Sequence, residues 1–221
     1  MMQNSIVRNG LVLTLFALLV TGLISLTFIG TQDTIAAQQQ QKLRDTLHAI
    51  IDANSYDNVP ELDCVNVKDA ALLGNNDSKT IYRATKQGQP VAAAIMTTAP
   101  DGYSGNIQIV VGITGDGTVT GTRVLEHKET PGLGDKIDLR VSDWILNFAG
   151  KVLSDDTLAM WKVKKDGGQF DQFTGATITP RAVVGAVRRA VEYYQQHKAD
   201  IFADQNACAV QGQPFEETAH E

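Results

Sequence analysis

The chain has 221 residues, enough for one medium domain with accessories and too few for two large ones. Its 43% hydrophobic content is that of an ordinary globular protein. The net charge of −6, with no basic stripe, argues against a nucleic-acid partner, whose phosphates call for a basic excess.

The N-terminus departs from that average. No charged side chain occurs between residues 9 and 32, and residues 11–29 are almost wholly apolar. A helix of about 20 apolar residues spans the roughly 30 Å hydrocarbon core of a bilayer. A cleaved signal peptide is the rival reading. Against it stand a single Arg8 in the leading segment, the length of the apolar run, and the poor small-x-small site at Ile35-Ala36-Ala37. An uncleaved, single-pass contact with membrane lipid is therefore expected, with residues 1–8 as a cytoplasmic tail and 9–30 as the anchor. Arg8 and the terminal amine precede the helix while Lys42 and Arg44 follow it, so the positive-inside count barely decides orientation. The reading places the folded domain outside.

Residues 33–51 read as a helix with Ile35, Leu43, Leu47 and Ile50 as apolar members, within a linker over 31–54. Turn-rich residues 54–60 mark a boundary, and a domain is expected over 55–208, followed by a tail at 209–221. Residues 80–85 and 91–97 form a hairpin pattern, and 106–113 and 119–125 a second one joined through Gly115-Asp116-Gly117. A short helix is expected at 142–148 and a strand at 159–164, closed by Asp166-Gly167-Gly168. The last element is an amphipathic helix with Thr179 as its cap and Pro180 at its first position. Val183, Val184, Val187, Ala190, Val191 and Tyr194 mark its apolar face. Hairpins and helices without strand–helix alternation indicate α+β: an N-terminal transmembrane helix, then one domain of antiparallel hairpins and packed helices.

Two cysteines, Cys64 and Cys208, flank the body of the domain. Outside the cytoplasm they could pair and tie down the C-terminus; otherwise they are unrelated thiols. The four histidines, His48, His127, His197 and His220, are scattered, and no carboxylate or cysteine stands at metal-ligand spacing, so no metal site is expected. His127 reads as an exposed loop residue, and Trp144 and Trp161 as core or pocket wall. No dinucleotide fingerprint or nucleophile elbow is present, and no catalytic residue is assigned.

The stretch Asp171-Gln172-Phe173-Thr174-Gly175-Ala176-Thr177-Ile178-Thr179-Pro180 gathers small residues and hydroxyls ahead of a helix N-terminus. Unpaired N–H groups and the helix dipole favour an anion such as phosphate there, and Arg181 could add a charged contact. Chemistry alone goes no further: an anion-friendly helix start, or a capped helix with a tight loop.

Thr174-Gly175-Ala176-Thr177, preceded by Asp171 and followed by Thr179, resembles the flavinylation motif of FMN-binding domains. The whole chain resembles the G-subunit family of Rnf/Rsx electron transport complexes, relatives of the C subunit of sodium-pumping NADH:quinone reductase. The anchor, the stretches Asp101-Gly102-Tyr103-Ser104-Gly105 and Glu129-Thr130-Pro131-Gly132-Leu133-Gly134, and the Thr-Gly-Ala-Thr site carry the resemblance in that order. The first motif position is Thr where many members carry Ser.

The resemblance implies FMN joined covalently to Thr177 by a phosphoester, with Thr174, Gly175 and Ala176 shaping the acceptor loop. Asp171 would be read by a separate flavin transferase that takes FMN from FAD. Glu129, Thr130 and Leu133 would wall the flavin pocket, the first two as hydrogen-bonding groups. Residues 100–196 would form the core motif region of a domain on the periplasmic side of a bacterial inner membrane. The chain would serve as an electron-transfer subunit of an ion-translocating complex beside other subunits, not as an independent enzyme. Alternatives are the sodium-pump C subunit, an anchored scaffold that never receives flavin, or a free-standing extracytoplasmic flavin reductase.

Overall fold

A computed structural model describes residues 2–208, with the side chains of residues 2–6, 33 and 36 left aside. The expected tail at 209–221 and His220 lie outside the described residues. Contacts divide the chain after Arg44, and a compact unit begins at Asp45. The segment expected as anchor, 9–30, and the expected linker as far as residue 50 lie in one helix, α1 (Met2–Ile50). Within it Val7–Gln32 is long and apolar enough to cross a membrane, and none of it is buried.

The compact unit is built on one antiparallel meander. Its strands are β1 (Cys64–Val67), β2 (Lys79–Lys86), β3 (Gln89–Gly102), β4 (Gly105–Thr114) and β5 (Val119–Glu126), paired in chain order. From β2 onward chain neighbours become sheet neighbours through short turns, while β1 reaches β2 through the longer segment 68–78. Gln87 and Gly88 turn β2 into β3, both with positive φ (52° and 74°), the backbone that matches a two-residue hairpin to strand twist. The hairpins expected at 80–97 and 106–125 are thus present, with β1 added at an edge where the sequence pattern had shown no strand.

Alternation sorts the two faces. Ile107, Ile109, Val111 and Ile113 of β4 join Ala93 and Ile95 of β3 in the main core, which α2 (Ile178–Ala203) covers through Val183, Val187, Ala190 and Val191. On the opposite face the last turn of α1 lies on bare backbone. A Cβ at Gly112 would stand 2.8 Å from the Ile50 carbonyl oxygen, and one at Gly121 would stand 3.2 Å from Ile50 Cα. Ile50 and Leu47 are buried there.

One expected element is present and one changes. Residues 142–148 do coil, as a 3-10 helix over Asp143–Phe148, with Ser142 Oγ accepting from Trp144 N at 3.3 Å. Residues 159–164, expected as a strand, instead fold as 3-10 turns at Leu158–Met160 and Lys164–Asp166 with a single bridge between Val163 and Phe170. The apolar residues there are held by aromatic packing and not by a ladder. Trp161 and Phe170 stand 5.7 Å apart, and Phe148 stacks on Phe170 at 4.5 Å.

Both ends of α2 are tied. At its C-terminus the buried Arg83 donates to the carbonyls of Ile201 (3.2 Å) and Asp204 (2.8 Å), while its Nε donates to Asp63 at 2.8 Å. A cation at that end suits the helix dipole. Just beyond, Ala207 N donates to the Cys64 carbonyl at 2.8 Å, and Cys64 and Cys208 are joined as a disulfide with Cα atoms 5.3 Å apart.

Candidate functional site

The site grows from the loop that enters α2. Phe173 is buried against Trp144, their rings 5.2 Å apart and edge-to-face, and Trp144 Nε1 donates to the Asp171 carbonyl at 2.8 Å. These contacts fix the loop base. Ala176 N then donates to the Phe173 carbonyl at 3.2 Å, closing a tight turn with Thr174 and Gly175 at its tip. Gly175 has φ 81°, a conformation that costs a side chain with Cβ about 1–2 kcal/mol. A Cβ there would also meet Leu133 Cδ2 at 3.4 Å. The turn therefore delivers the chain to α2 with Thr177 at the residue preceding the helix.

Thr177 makes no capping hydrogen bond, because its backbone is already helical (φ −82°, ψ −20°). Its half-buried side chain lines a cavity of about 310 Å³ instead. Facing it is the loop after β5. There Thr130's carbonyl accepts from Leu133 N (3.1 Å) and Gly134 N (3.0 Å), a turn that brings Leu133 to the cavity. Glu129, Thr130, Leu133, Gly175, Ala176, Thr177 and Thr179 all line this one space, joined by Tyr103, Gly134 and Ile178. Tyr103, Leu133 and Ile178 are exposed, and they make an apolar rim around a hydroxyl and the start of a helix. Such a site offers an anion the first-turn amides and offers a flat apolar ring a surface.

Thr174, expected to shape the acceptor loop, sits exposed at the turn tip and is not among the cavity-lining residues. Expected helix-start roles change. Thr179 does not cap α2: it is the second helical residue, fully buried, and its hydroxyl donates to Glu129 Oε2. Pro180 is accordingly third, still within the turn whose N–H groups have no helical partner. Arg181 points elsewhere, bound through Nε and Nη2 to Asp166 at 2.6 and 2.8 Å, and lines a separate groove. That pairing holds the Asp166 carboxyl below its ordinary range and raises Arg181. Asp171 is exposed and pairs with Lys164 at 2.6 Å.

His127 is not an exposed loop residue. Its Nδ1 accepts from Glu129 N at 3.1 Å, and its Nε2 stands 3.7 Å from Asp138 Oδ2 with both side chains largely covered. The Arg140 guanidinium on Asp138 holds that carboxyl below the usual carboxylate range. Tyr103 and Ile178 were not picked out as pocket residues. The available signal at Ile178 was a large apolar residue between two threonines, outside the stripe that α2 buries.

Comparison with known proteins bears on this geometry. Residues 102–192 match the FMN-binding domain family, an interval holding the cavity walls and the Thr177 turn. Residues 1–50 match the RnfG N-terminal region. The chain is 57% identical to the G subunit of the ion-translocating oxidoreductase complex of Pseudoalteromonas atlantica, covering 95% of this chain and 98% of that one. The chain belongs to this G-subunit family. Members from Shewanella oneidensis and Vibrio vulnificus are 51% and 52% identical over 94% of this chain and 98% of theirs. These relatives thus align with both the apolar helix and the FMN-binding region, and not with the domain alone.

The residues present fit FMN. An uncapped threonine hydroxyl at a helix start suits its phosphate, the glycine turn keeps that approach clear, and Leu133, Ile178 and Tyr103 suit its ring.

Proposed function

We propose that this chain is a membrane-anchored flavoprotein subunit of an ion-translocating electron transport complex, with FMN held as a phosphoester on Thr177. The observation that carries the reading is the position of Thr177: at the start of α2, uncapped, facing a cavity inside the FMN-binding region. The names of the relatives support the complex and favour the G-type reading over the sodium-pump C subunit.

Thr174, Gly175 and Ala176 shape the acceptor turn, and Asp171, exposed beside it, is available to the flavin transferase. In the attachment step the Thr177 Oγ1–phosphorus bond forms as the P–O–P bond of FAD breaks. AMP leaves, and the hydroxyl proton passes to a base of the transferase. Bound there, FMN supplies one-electron chemistry, and the protein's part is orientation and electrostatics. Thr130 and Leu133 contribute a polar group and an apolar surface to the wall.

The periplasmic side of a bacterial inner membrane suits such a linkage, since a domain outside the cytoplasm has no free FMN pool from which to reload. The Val7–Gln32 span keeps the domain in the membrane plane, which raises its effective concentration beside the other subunits. The chain should be expressed with its flavin transferase, separated on a denaturing gel and inspected for flavin fluorescence, with intact mass measured in parallel. Covalent fluorescence that disappears in Thr177→Ala and persists in Thr174→Ala is expected. A dark band and an unmodified mass from native membranes would favour a scaffold role and sink the reading.

A further inference from the structure

We propose that Glu129 is a positioning residue, a carboxylate clasp behind the cavity that fixes the first turn of α2 so that the Thr177 hydroxyl faces the attachment site. The proposal rests on the Thr177 reading above and reassigns Glu129 from the flavin's hydrogen-bonding partner to the acceptor's support.

Glu129 is 4% exposed, and both carboxylate oxygens are engaged by protein donors. Oε1 accepts from Ser104 N at 2.9 Å, and Oε2 accepts from the Thr179 hydroxyl. One side chain thus joins the β3–β4 turn, the loop after β5 and the helix start, across sequence separations of 25 and 50 residues. Its own backbone is fixed too, by the bond from Glu129 N to His127 Nδ1.

The surroundings leave room for this group and little else. A Cβ at Gly102 would stand 3.0 Å from Glu129 Oε1, and one at Gly134 would stand 2.9 Å from Glu129 Oε2 and from Thr179 Oγ1. At Gly134 the clasp itself is the nearest obstacle, whereas Gly102 is required first by its own turn, where a Cβ would overlap the Gly105 carbonyl oxygen. A buried carboxylate is costly unless hydrogen-bonded, and removing it would strand the buried Thr179 hydroxyl and take away the Ser104 N–H acceptor.

The consequence for Thr177 follows from the helix start. Thr177 has no side-chain bond holding its own turn, whereas Thr179, two residues on, is fully buried and bound to Glu129. Among the described residues the clasp is the side-chain hydrogen bond nearest the acceptor along the chain, beside the Ala176 backbone bond of the turn. It also spends the Thr179 hydroxyl inward, leaving the outer side of the helix start to the cofactor.

The test uses full-length protein in detergent. Hydrogen exchange of amides 175–179 is measured in the flavin-free chain, and attachment kinetics are measured with purified flavin transferase and FAD. Glu129→Ala and Thr179→Val each lose a hydrogen bond to a charged group. Exchange at 175–179 should therefore rise about tenfold or more, and attachment kcat/KM should fall about tenfold, with the rest of α2 unchanged. Glu129→Gln can accept from Ser104 N and donate to the Thr179 hydroxyl, so it should restore exchange protection and most of the attachment rate.

Unchanged exchange at 175–179 in Thr179→Val and Glu129→Ala would overturn the clasp. So would a Glu129→Gln variant that keeps normal exchange yet fails to take up flavin, since that outcome makes the charge a direct contact. If Glu129→Ala does not fold, Thr179→Val and Glu129→Gln still decide. Thr177→Ala judges the underlying reading separately: flavin retained there ends the phosphoester proposal, while the exchange data still judge the clasp.

Discussion

Both long helices share one backbone geometry, yet their side chains meet opposite conditions. Between residues 7 and 32 of α1 every residue is exposed, including Leu11, Phe16, Leu18, Leu23 and Phe28. Along α2 the apolar residues form a stripe, and twelve of its 26 positions are buried against the sheet. A helix apolar all round has no wet face, so it calls for an apolar medium; a striped helix needs only a sheet. α1 itself changes over at its last turn, where Leu47 and Ile50 are buried on the sheet. The second difference lies at the ends. α2 is fastened by Glu129 at its start and by Arg83 and the Cys64–Cys208 link at its close, so partners distant in sequence hold both of its ends.

The largest expected effect comes from cutting the fastening at the close of α2. The disulfide closes a loop with a sequence separation of 144, and in the chain-entropy account such a loop stabilises the folded chain by about 5 kcal/mol. Denaturant titration of the solubilised chain should show a midpoint markedly lower after reduction, or in Cys64→Ser. Equal midpoints and equal alkylation with and without reductant would mean that hydrogen bonds alone hold α2's end.

Next in size is a charge placed on α1. Leu19 lies near the middle of the apolar span of α1 and is 59% exposed. If lipid covers it, Leu19→Arg should weaken insertion by about 2.5–3.5 kcal/mol, visible as chain released from membranes by alkaline extraction. The same change in water would be harmless to an exposed position. A membrane fraction unaffected by Leu19→Arg would therefore remove lipid as the medium that α1 meets.

Legibility in the sequence followed the same division. The apolar span, the two hairpins and the α2 stripe each rest on local periodicity, and all were readable. The 158–166 stretch was not: its apolar residues serve an aromatic cluster with Phe148 and Phe170, a tertiary pattern that mimics a short strand. At the site, the cavity residues from 129 to 134 and 175 to 177 were legible only through the family motifs. Helix-start chemistry alone suggested Thr179 as the cap and Arg181 as an anion contact. Both were diverted by partners distant in sequence, Thr179 by Glu129 and Arg181 by Asp166. β1 escaped notice because a four-residue edge strand carries too few positions to show alternation.

The smallest effect probes how completely α2 is covered. Tyr194 is 1% exposed, and its hydroxyl has no hydrogen-bond partner among the described residues. Burial pushes its ionisation up to about 12 from an ordinary 10.0. The sign follows from linkage: the folded chain holds this proton more tightly than the unfolded one, so stability is intact below pH 10 and declines as pH climbs through about 12. Tyr194→Phe removes an unsatisfied buried hydroxyl, so at neutral pH stability should be unchanged or improved by up to about 1 kcal/mol. Above pH 10 the variant should lose less stability than the parent, as read by denaturant midpoints at pH 8 and pH 11. A variant clearly weaker at pH 8 would show that the hydroxyl has a partner, such as a buried water, and that this face of α2 is less dry than its burial suggests.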